Sequence, residues 1–558
     1  MSVKNGRASN AHKHHKGEIL TTSRQQVLAE LKKDDLFDIL VVGGGATGCG
    51  VALDAASRGL SVALVEKNDF SEGTSGRSTK LLHGGIRYLE SAVRHLDRVQ
   101  FNLVKDGLRE RSLILSIAPH LCHRIPLVTP LYGWVEVPYV YTGLKFYDLM
   151  AGKKNIGSSR YLNRSSALRN FPMLRSKGLK GGVKYYDGQF NDARMAVSIA
   201  LTARAHGAVA ANHIEVVGFH KVSGRIAGAV VKDNLDGDSW IIRAKVIVNA
   251  TGPFADNIRS LDDSRVSPML EVTSGIHVLL DGRFSPEDTG LLIPRTEDGR
   301  VIFVLPWEGS TLVGTTDHPA ELSDHPCPTE EEIRYLESYI SRYFDLRFTL
   351  KDIKASWSGL RPLLFDPSVS DTAKLSRDHI IVQSQSGLVT IAGGKWTTYR
   401  KMAEDTVDHV IHRFKLTPLR GCQTERLFIA GGENYDHEGD RKLAEEYDFD
   451  ENTACHLNRA YGDKCRDVAI IAASGYGVPL SHEKPFLEAE VIYAVRHEMA
   501  QRAMDVMARR IPLAQLDTAA AKDAAPRVIE LMSSELNWSD TRRADEERDV
   551  EKRLREGI

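Results

Sequence analysis

Gly43, Gly45 and Gly48 stand at the spacing G-x-G-x-x-G, and Glu66 follows at about 20 residues from the turn they form. The first glycine permits a tight turn, the second lets backbone approach a pyrophosphate, and the third lets a helix pack closely on a strand. The N-terminus of that helix turns its partial positive charge on the phosphates. An acid at the position of Glu66 accepts ribose hydroxyls and argues against a 2′-phosphate, hence against NADP. The expected ligand is an adenine dinucleotide, held by Gly43, Gly44, Gly45, Ala46, Thr47, Gly48, Glu66 and Lys67. Two cations stand out beside this motif. Arg361 in WSGLRPLL and Lys395 in IAGGKW lie in apolar or glycine-rich surroundings, where an unpaired charge is expensive, so neither reads as an ordinary surface charge.

The elements that must position these residues can be read in order. Phe37–Val42 is a short apolar run suited to a buried parallel strand, Ala46–Ser57 a helix, and Leu60–Val65 a second strand. The run GTSGRSTKLLHGGIRYLE, from Gly73 to Glu90, follows directly. Its place after the nucleotide unit makes Thr74, Ser75, Ser78, Thr79, Lys80, Leu81, His83, Gly84 and Gly85 expected cofactor contacts, with Arg87 and Tyr88 beyond them as substrate contacts. Ala92–Ile117 has helical periodicity. The segment from Ile125 is rich in proline and aromatics, and reads either as a packed loop or subunit interface, or as a surface that dips into lipid headgroups. Tyr186-Asp187-Gly188 reads as a turn before a helix over Asp192–Arg204, with a strand at Ala208–Gly218. Ala244–Asn249 is a buried strand running into Ala250, Thr251 and Gly252, whose small side chains let a ring or phosphate reach the backbone.

Between Val266 and Trp357 short apolar runs alternate with turns, the pattern of an antiparallel sheet, interrupted by a helix over Thr329–Phe344 with Glu332 at the capping-box position. Leu388–Ala392, Gly393-Gly394 and the helix Thr397–Phe414 make a third strand-glycine-helix unit. A helix N-terminus there would stabilise the negative charge that develops at the N1 and C2 carbonyl end of a reduced flavin, which sharpens the dinucleotide to FAD. Beyond about Pro418 the pattern is helical. The fold expected is α/β: a glutathione-reductase-type FAD-binding Rossmann domain, a mixed or antiparallel-sheet substrate domain, and a C-terminal helical domain. Its expected division is a tail at 1–35, a discontinuous FAD domain at 36–130, 190–260 and 356–415, a substrate domain at 131–189 and 261–355, and the helical domain at 418–558.

Composition fits this class. The chain has 558 residues, 42% hydrophobic and 26% charged, with a formal net charge of -1, and nothing in this balance suggests nucleic acid as a partner. Six cysteines are scattered without a C-x-x-C pair, so neither a disulfide framework nor a zinc site is indicated and no metal ligand is assigned. No apolar run approaches the roughly 18 residues that span a bilayer, so membrane contact is expected to be peripheral. The basic stretch from Met1 to Leu20 lacks an amphipathic apolar face and reads as a tail.

With these stretches placed, the chain resembles the FAD-dependent, quinone-linked glycerol-3-phosphate dehydrogenases, above all the mitochondrial form. The motifs that carry the resemblance are GGGATGCG with ALDAASRGL, GTSGRSTKLLHGGIRYL, YYDGQFNDARM, VNATGPF, GTTDHP, WSGLRPL, IAGGKWTTYRKMAEDT and PRVIELMSSELNW, together reaching from about residue 35 to 538. The resemblance implies FAD as cofactor, oxidation of glycerol 3-phosphate, ubiquinone as acceptor and a peripheral place on the inner mitochondrial membrane or a bacterial cytoplasmic membrane, with a homodimer open. An oxidase that passes electrons to oxygen, or a flavin-bound scaffold without turnover, are the alternatives. Two departures are visible: no D-x-D-x-D-G calcium loop appears, and Gly76 stands where serine is expected.

The implied chemistry needs cations for a phosphate dianion and a base for one hydroxyl. Arg87, Arg377 and Lys395 are the expected phosphate ligands, with Gly394 at the close approach beside Lys395, and Arg361 is expected nearer the reacting carbon, facing the developing alkoxide. His277 in TSGIHVLL is the expected base; its alternative is a structural strand histidine.

Overall fold

The first apolar run becomes the central strand Leu36–Val42 of one of two large sheets. The computed structural model describes residues 23–85, 98–293, 296, 300–365 and 378–557. In the first sheet, Leu36–Val42 lies parallel between Val62–Val65 and Ser239–Asn249. Val209–Ala211 extends the sheet beyond Val62–Val65, and Val389–Gly393 extends it beyond Ser239–Asn249, both parallel. The strands are apolar and buried on both sides, as a parallel sheet covered by helices requires. Helix Ala46–Ser57 covers it between Asp192–Ala205 and Tyr399–Phe414, packed so closely that a Cβ added at Gly50 would stand 2.9 Å from the Tyr399 ring.

The second sheet is mixed and mostly antiparallel. Its centre is the long strand Leu270–Asp281, paired antiparallel with Ile353–Leu364 on one side and with Ser310–Gly314 on the other. Gly290–Ile293 joins it in parallel to Cys122–Leu131, which pairs antiparallel with Gly181–Phe190. Helix Glu330–Tyr343 opens with the expected capping box: the Glu332 N–H donates to Thr329 Oγ1 and the Glu332 carboxylate accepts from the Thr329 N–H. The C-terminal helices, from Gly439–Tyr447 to Thr518–Leu536 and Asp540–Glu556, share an apolar cluster with the back of this sheet at Leu305, Trp307 and Trp357.

Four expectations give way here. Tyr186-Asp187-Gly188 is the middle of a strand, because ten consecutive pairings with Cys122–Leu131 override the local turn signal. The proline- and aromatic-rich segment is not a packed loop: it is that strand followed by helix Glu136–Ala151, whose Pro138 sits in the first turn, where its missing N–H has no intrahelical bond to make. Strands Cys122–Leu131 and Ile353–Leu364, placed by sequence largely in the cofactor domain, belong to the second sheet. Within the expected tail, Arg24–Leu31 is a helix capped by Ser23, and it buries Val27 and Leu31 against the first sheet's core.

Candidate active site

A cavity of about 580 Å³ opens where Leu36–Val42 ends, lined by Gly43, Gly45, Ala46, Thr47, Glu66, Lys67, Thr74, Ser75, Ala250, Thr251 and Gly252. Its walls are built for close approach. Gly43 has φ of +108°, and a Cβ there would stand 2.7 Å from Ala250 O. A Cβ on Gly48 would run into the carbonyl of Gly43, so the helix can lie on the turn only with glycine at that position. Glu66 accepts from the Gly44 N–H at 2.6 Å and the Asn68 N–H at 2.8 Å, which fixes its carboxylate at the rim. The Lys67 ammonium pairs with Asp324 at 2.8 Å and lies 5.2 Å over the Phe254 ring.

The loop after Val62–Val65 ties this cavity to the second sheet. Ser75 Oγ accepts from the Ala46 N–H at 2.9 Å, the Ser75 carbonyl accepts from Trp396 Nε1, and Thr74 Oγ1 donates to Leu360 O at 2.6 Å. Gly76 is buried, and a Cβ there would meet the Ser71 carbonyl, so serine would not fit this backbone. Further along, Ser78, Thr79, Lys80, Leu81, His83, Gly84 and Gly85 leave the cavity's lining. Lys80 is fully buried beneath Trp307 and Trp357, its ammonium donating to Asp192, Gly76 O and Gln515 Oε1. Leu81 pairs with Gln189 in the second sheet, and the Gly84 N–H donates to Tyr147 Oη at 2.8 Å.

His277 and Arg361 come from neighbouring strands. Pairing sets Thr273 opposite Arg361, Gly275 opposite Gly359 and His277 opposite Trp357, so the two candidates share one sheet face with a pair of glycines between them. The Arg361 guanidinium folds back over Gly275, where a Cβ would stand 2.5 Å from its Cζ. It donates to Ser274 O and Asp317 Oδ1 through Nη1, and to Thr315 Oγ1 and Thr316 O through Nη2. His277 is 2% exposed, stacks on Trp357 with centroids 5.5 Å apart, and shares a hydrogen bond of 2.9 Å between Nε2 and Thr79 Oγ1. Burial first, then the charges of Arg361 and Lys80, hold its imidazole well below its ordinary pKa, so it is neutral at physiological pH. Lys395 follows Gly393 and Gly394, both at positive φ, at the mouth of the third unit; Gly393 abuts Leu364 at the end of Arg361's strand. Arg87, Tyr88 and Arg377 lie outside the described residues.

Residues 38–400 match the FAD dependent oxidoreductase family, and residues 422–543 match the C-terminal domain of alpha-glycerophosphate oxidase. The chain is 48% identical over 540 residues to the mitochondrial glycerol-3-phosphate dehydrogenase of Mus musculus, covering 94% of this chain and 74% of that protein. It belongs to the FAD-dependent glycerol-3-phosphate dehydrogenase family. The mitochondrial glycerol-3-phosphate dehydrogenase SDP6 of Arabidopsis thaliana is 45% identical over 546 residues, 94% of this chain and 87% of that one. The X-ray structure of the glycerol-3-phosphate dehydrogenase from Bacillus halodurans, complexed with FAD, superposes with a TM-score of 0.78 at 31% identity, over 96% of this chain and 98% of that chain. The fold is thus the FAD-binding α/β fold of this family with a mixed-sheet substrate domain and a C-terminal helical domain, and FAD is the cofactor. The residues present fit that group: the glycine turn leaves no room for a Cβ at Gly43 or Gly48, and the rim carries the Glu66 carboxylate, an acceptor of the kind that ribose hydroxyls need.

Local sequence gave no role to Gly314, Thr315, Thr316, Asp317 or Trp357, which close around His277 and Arg361. GTTDHP was visible as a motif, but its work depends on Gly314 pairing with His277 across the sheet.

Proposed function

We propose that the protein oxidises glycerol 3-phosphate to dihydroxyacetone phosphate, with His277 as base and Arg361 as the cation beside the reacting oxygen, and delivers the electrons to ubiquinone at a membrane surface. Bound FAD supplies the two-electron acceptor for the hydrogen on C2. The observation that carries the reading is the placement of a neutral histidine and an oriented guanidinium on one sheet face, beyond the loop that closes the cofactor cavity. Neutral His277 can accept a proton at once. Negative charge developing on the substrate oxygen beside Arg361 would weaken the repulsion that the guanidinium exerts on an imidazolium, so the transfer would be favoured as it proceeds. Asp317 and Thr315 hold the guanidinium plane, which orients its donors before substrate arrives. Lys395, with Arg87 and Arg377, would hold the phosphate.

The test is anaerobic. Purified enzyme should bleach with glycerol 3-phosphate and recolour faster with a soluble quinone than with oxygen, while His277→Ala should bleach about 10²-fold more slowly or worse with nearly unchanged substrate affinity. Absence of bleaching in FAD-loaded wild type would refute the reading.

A peripheral membrane site is supported by the face of helix Glu136–Ala151. Trp134 and Val135, just before the helix, and Leu149 within it are 66%, 85% and 73% exposed; Lys180 lies over the Trp134 ring at one end, and Lys153 and Lys154 follow the other end. Among the described residues no helix is long and apolar enough to cross a membrane. Since the relatives are mitochondrial proteins by name, the inner mitochondrial membrane is the surface proposed. Val135→Glu with Leu149→Glu should release the protein from anionic vesicles in a flotation assay; unchanged flotation would count against this face.

A further inference from the structure

His277 is enclosed in a way that direct contact with a substrate does not explain. Trp357 stacks on its ring at an interplanar angle of 21°. Gly314 closes the Cδ2 and Nε2 edge so tightly that an added Cβ would stand 2.9 Å from Nε2. Nδ1 is buried and has no hydrogen-bond partner among the described residues. The remaining polar route out of the ring is the 2.9 Å bond from Nε2 to Thr79 Oγ1. Thr79, unlike His277, is partly exposed, and it follows the loop whose Thr74 and Ser75 line the cofactor cavity.

We propose that the Thr79 hydroxyl relays the proton of the substrate's C2 hydroxyl to His277. This rests on reading His277 as the base. A neutral imidazole with its hydrogen on Nδ1 accepts at Nε2, so Thr79 donates its hydrogen inward and leaves its oxygen lone pairs free to accept from outside. In the transfer, the O–H bond of the C2 hydroxyl and the Oγ1–H bond of Thr79 break, while a new Oγ1–H bond and an Nε2–H bond form. Thr79 ends as it began, and the proton rests on His277. The electron pair left on the substrate oxygen becomes the second bond of the carbonyl as the C2 hydrogen departs with its own pair to the two-electron acceptor that the activity already requires. Thr79 is thereby a catalytic residue, and Trp357 and Gly314 are positioning residues that keep the imidazole from bypassing it.

The test compares FAD-loaded wild type, Thr79→Val, Thr79→Ser and His277→Ala in anaerobic single turnovers with glycerol 3-phosphate, together with FAD content and calorimetric affinity for dihydroxyacetone phosphate. Thr79→Val keeps shape and loses the hydroxyl, so bleaching should slow by roughly 10²-fold or more, whereas Thr79→Ser should restore the rate to within about fivefold of wild type. FAD content and product affinity should stay within about threefold in both variants. In wild type, the rate against deuterium fraction should bow, since two protons move in one step. A wild-type rate in Thr79→Val, a Thr79→Ser variant as slow as Thr79→Val, or a linear deuterium dependence would each overturn the relay. A slow His277→Ala beside a fast Thr79→Val would sink the relay while leaving the base in place; a fast His277→Ala would sink both.

Discussion

Gly314→Ala is the sharpest probe of this site, because it leaves every polar group in place and moves one ring. A Cβ at this position stands 2.9 Å from His277 Nε2 and 3.0 Å from Cγ, closer still to Cδ2, against an ordinary contact of 3.4 Å or more. The added Cβ would approach Cδ2 to 2.2 Å, so the ring must give way by about 1 Å, and Trp357 on its stacked face limits where it can go. A displacement of that size takes the Nε2 to Thr79 bond from 2.9 Å toward the edge of hydrogen-bond range. Misplacing a reacting group by about 1 Å costs on the order of 10²-fold, or about 2.7 kcal/mol of barrier. Anaerobic stopped-flow bleaching measures that rate, and the flavin released by heating measures cofactor content, which should be full because Gly314 does not line the cavity. Gly143→Ala is the control: a Cβ there meets nothing within 4 Å, and its rate should match wild type. Full FAD content with an unimpaired rate in Gly314→Ala would refute the claim that His277 must sit where it does.

Two other perturbations test how the domains are joined. His120 lies against Gly431 and Gly462, and burial, then the charge of Arg194, pushes its pKa down to about 4. The folded protein keeps this ring neutral while the unfolded chain binds a proton near pH 6.5, so stability is full above that pH and is lost as pH falls toward 4. The loss amounts to about 1 kcal/mol between pH 7 and 5.5. His120→Gln should lack that increment, seen as a smaller acceleration of thermal inactivation between the two pH values; equal acceleration would reject it. Asp69→Asn should leave the buried guanidinium groups of Arg509 and Arg510 short of a counter-charge, at about 3–5 kcal/mol, and cause FAD loss on dialysis. Retention of FAD with an unchanged melting temperature would show that the network is dispensable.

The cofactor half of the site was legible because its signal is local. Glycines at 43, 45 and 48, the helix after them and Glu66 fall within one strand-helix-strand unit, and each residue type has a steric or electrostatic reason to be there. The candidate catalytic half was only partly legible. His277 and Arg361 stood out by type and surroundings, but Trp357, Gly314 and Asp317 act through pairings between strands tens of residues apart, and no local pattern announces them. The same limit misplaced Tyr186-Asp187-Gly188. A D-G pair favours a turn by itself, yet ten rungs of pairing with Cys122–Leu131, and the burial of Asp187 against Arg111, outweigh that preference.

The C-terminal helices carry no candidate catalytic group, yet their buried charges converge on the loop that shapes the cofactor cavity. Asp69 accepts from Arg509 and Arg510, Glu72 accepts from Arg553, and the Gly76 carbonyl accepts from Gln515. Burial alone would raise the Glu72 carboxyl, but Arg509 and Arg553 outweigh it and hold the group ionised. A buried pair of this kind contributes little net stability compared with an apolar contact, since desolvation offsets most of the attraction. Its value is directional: carboxylates and guanidinium groups have few acceptable geometries, whereas an apolar contact tolerates sliding. Between Asp69 and Gly76 the chain must present Thr74 and Ser75 to the cavity while turning Thr79 toward His277 three residues later. A loop held at Asp69, Glu72 and Gly76 by the C-terminal helices has its register fixed toward both the cavity and His277, so those helices position the candidate site.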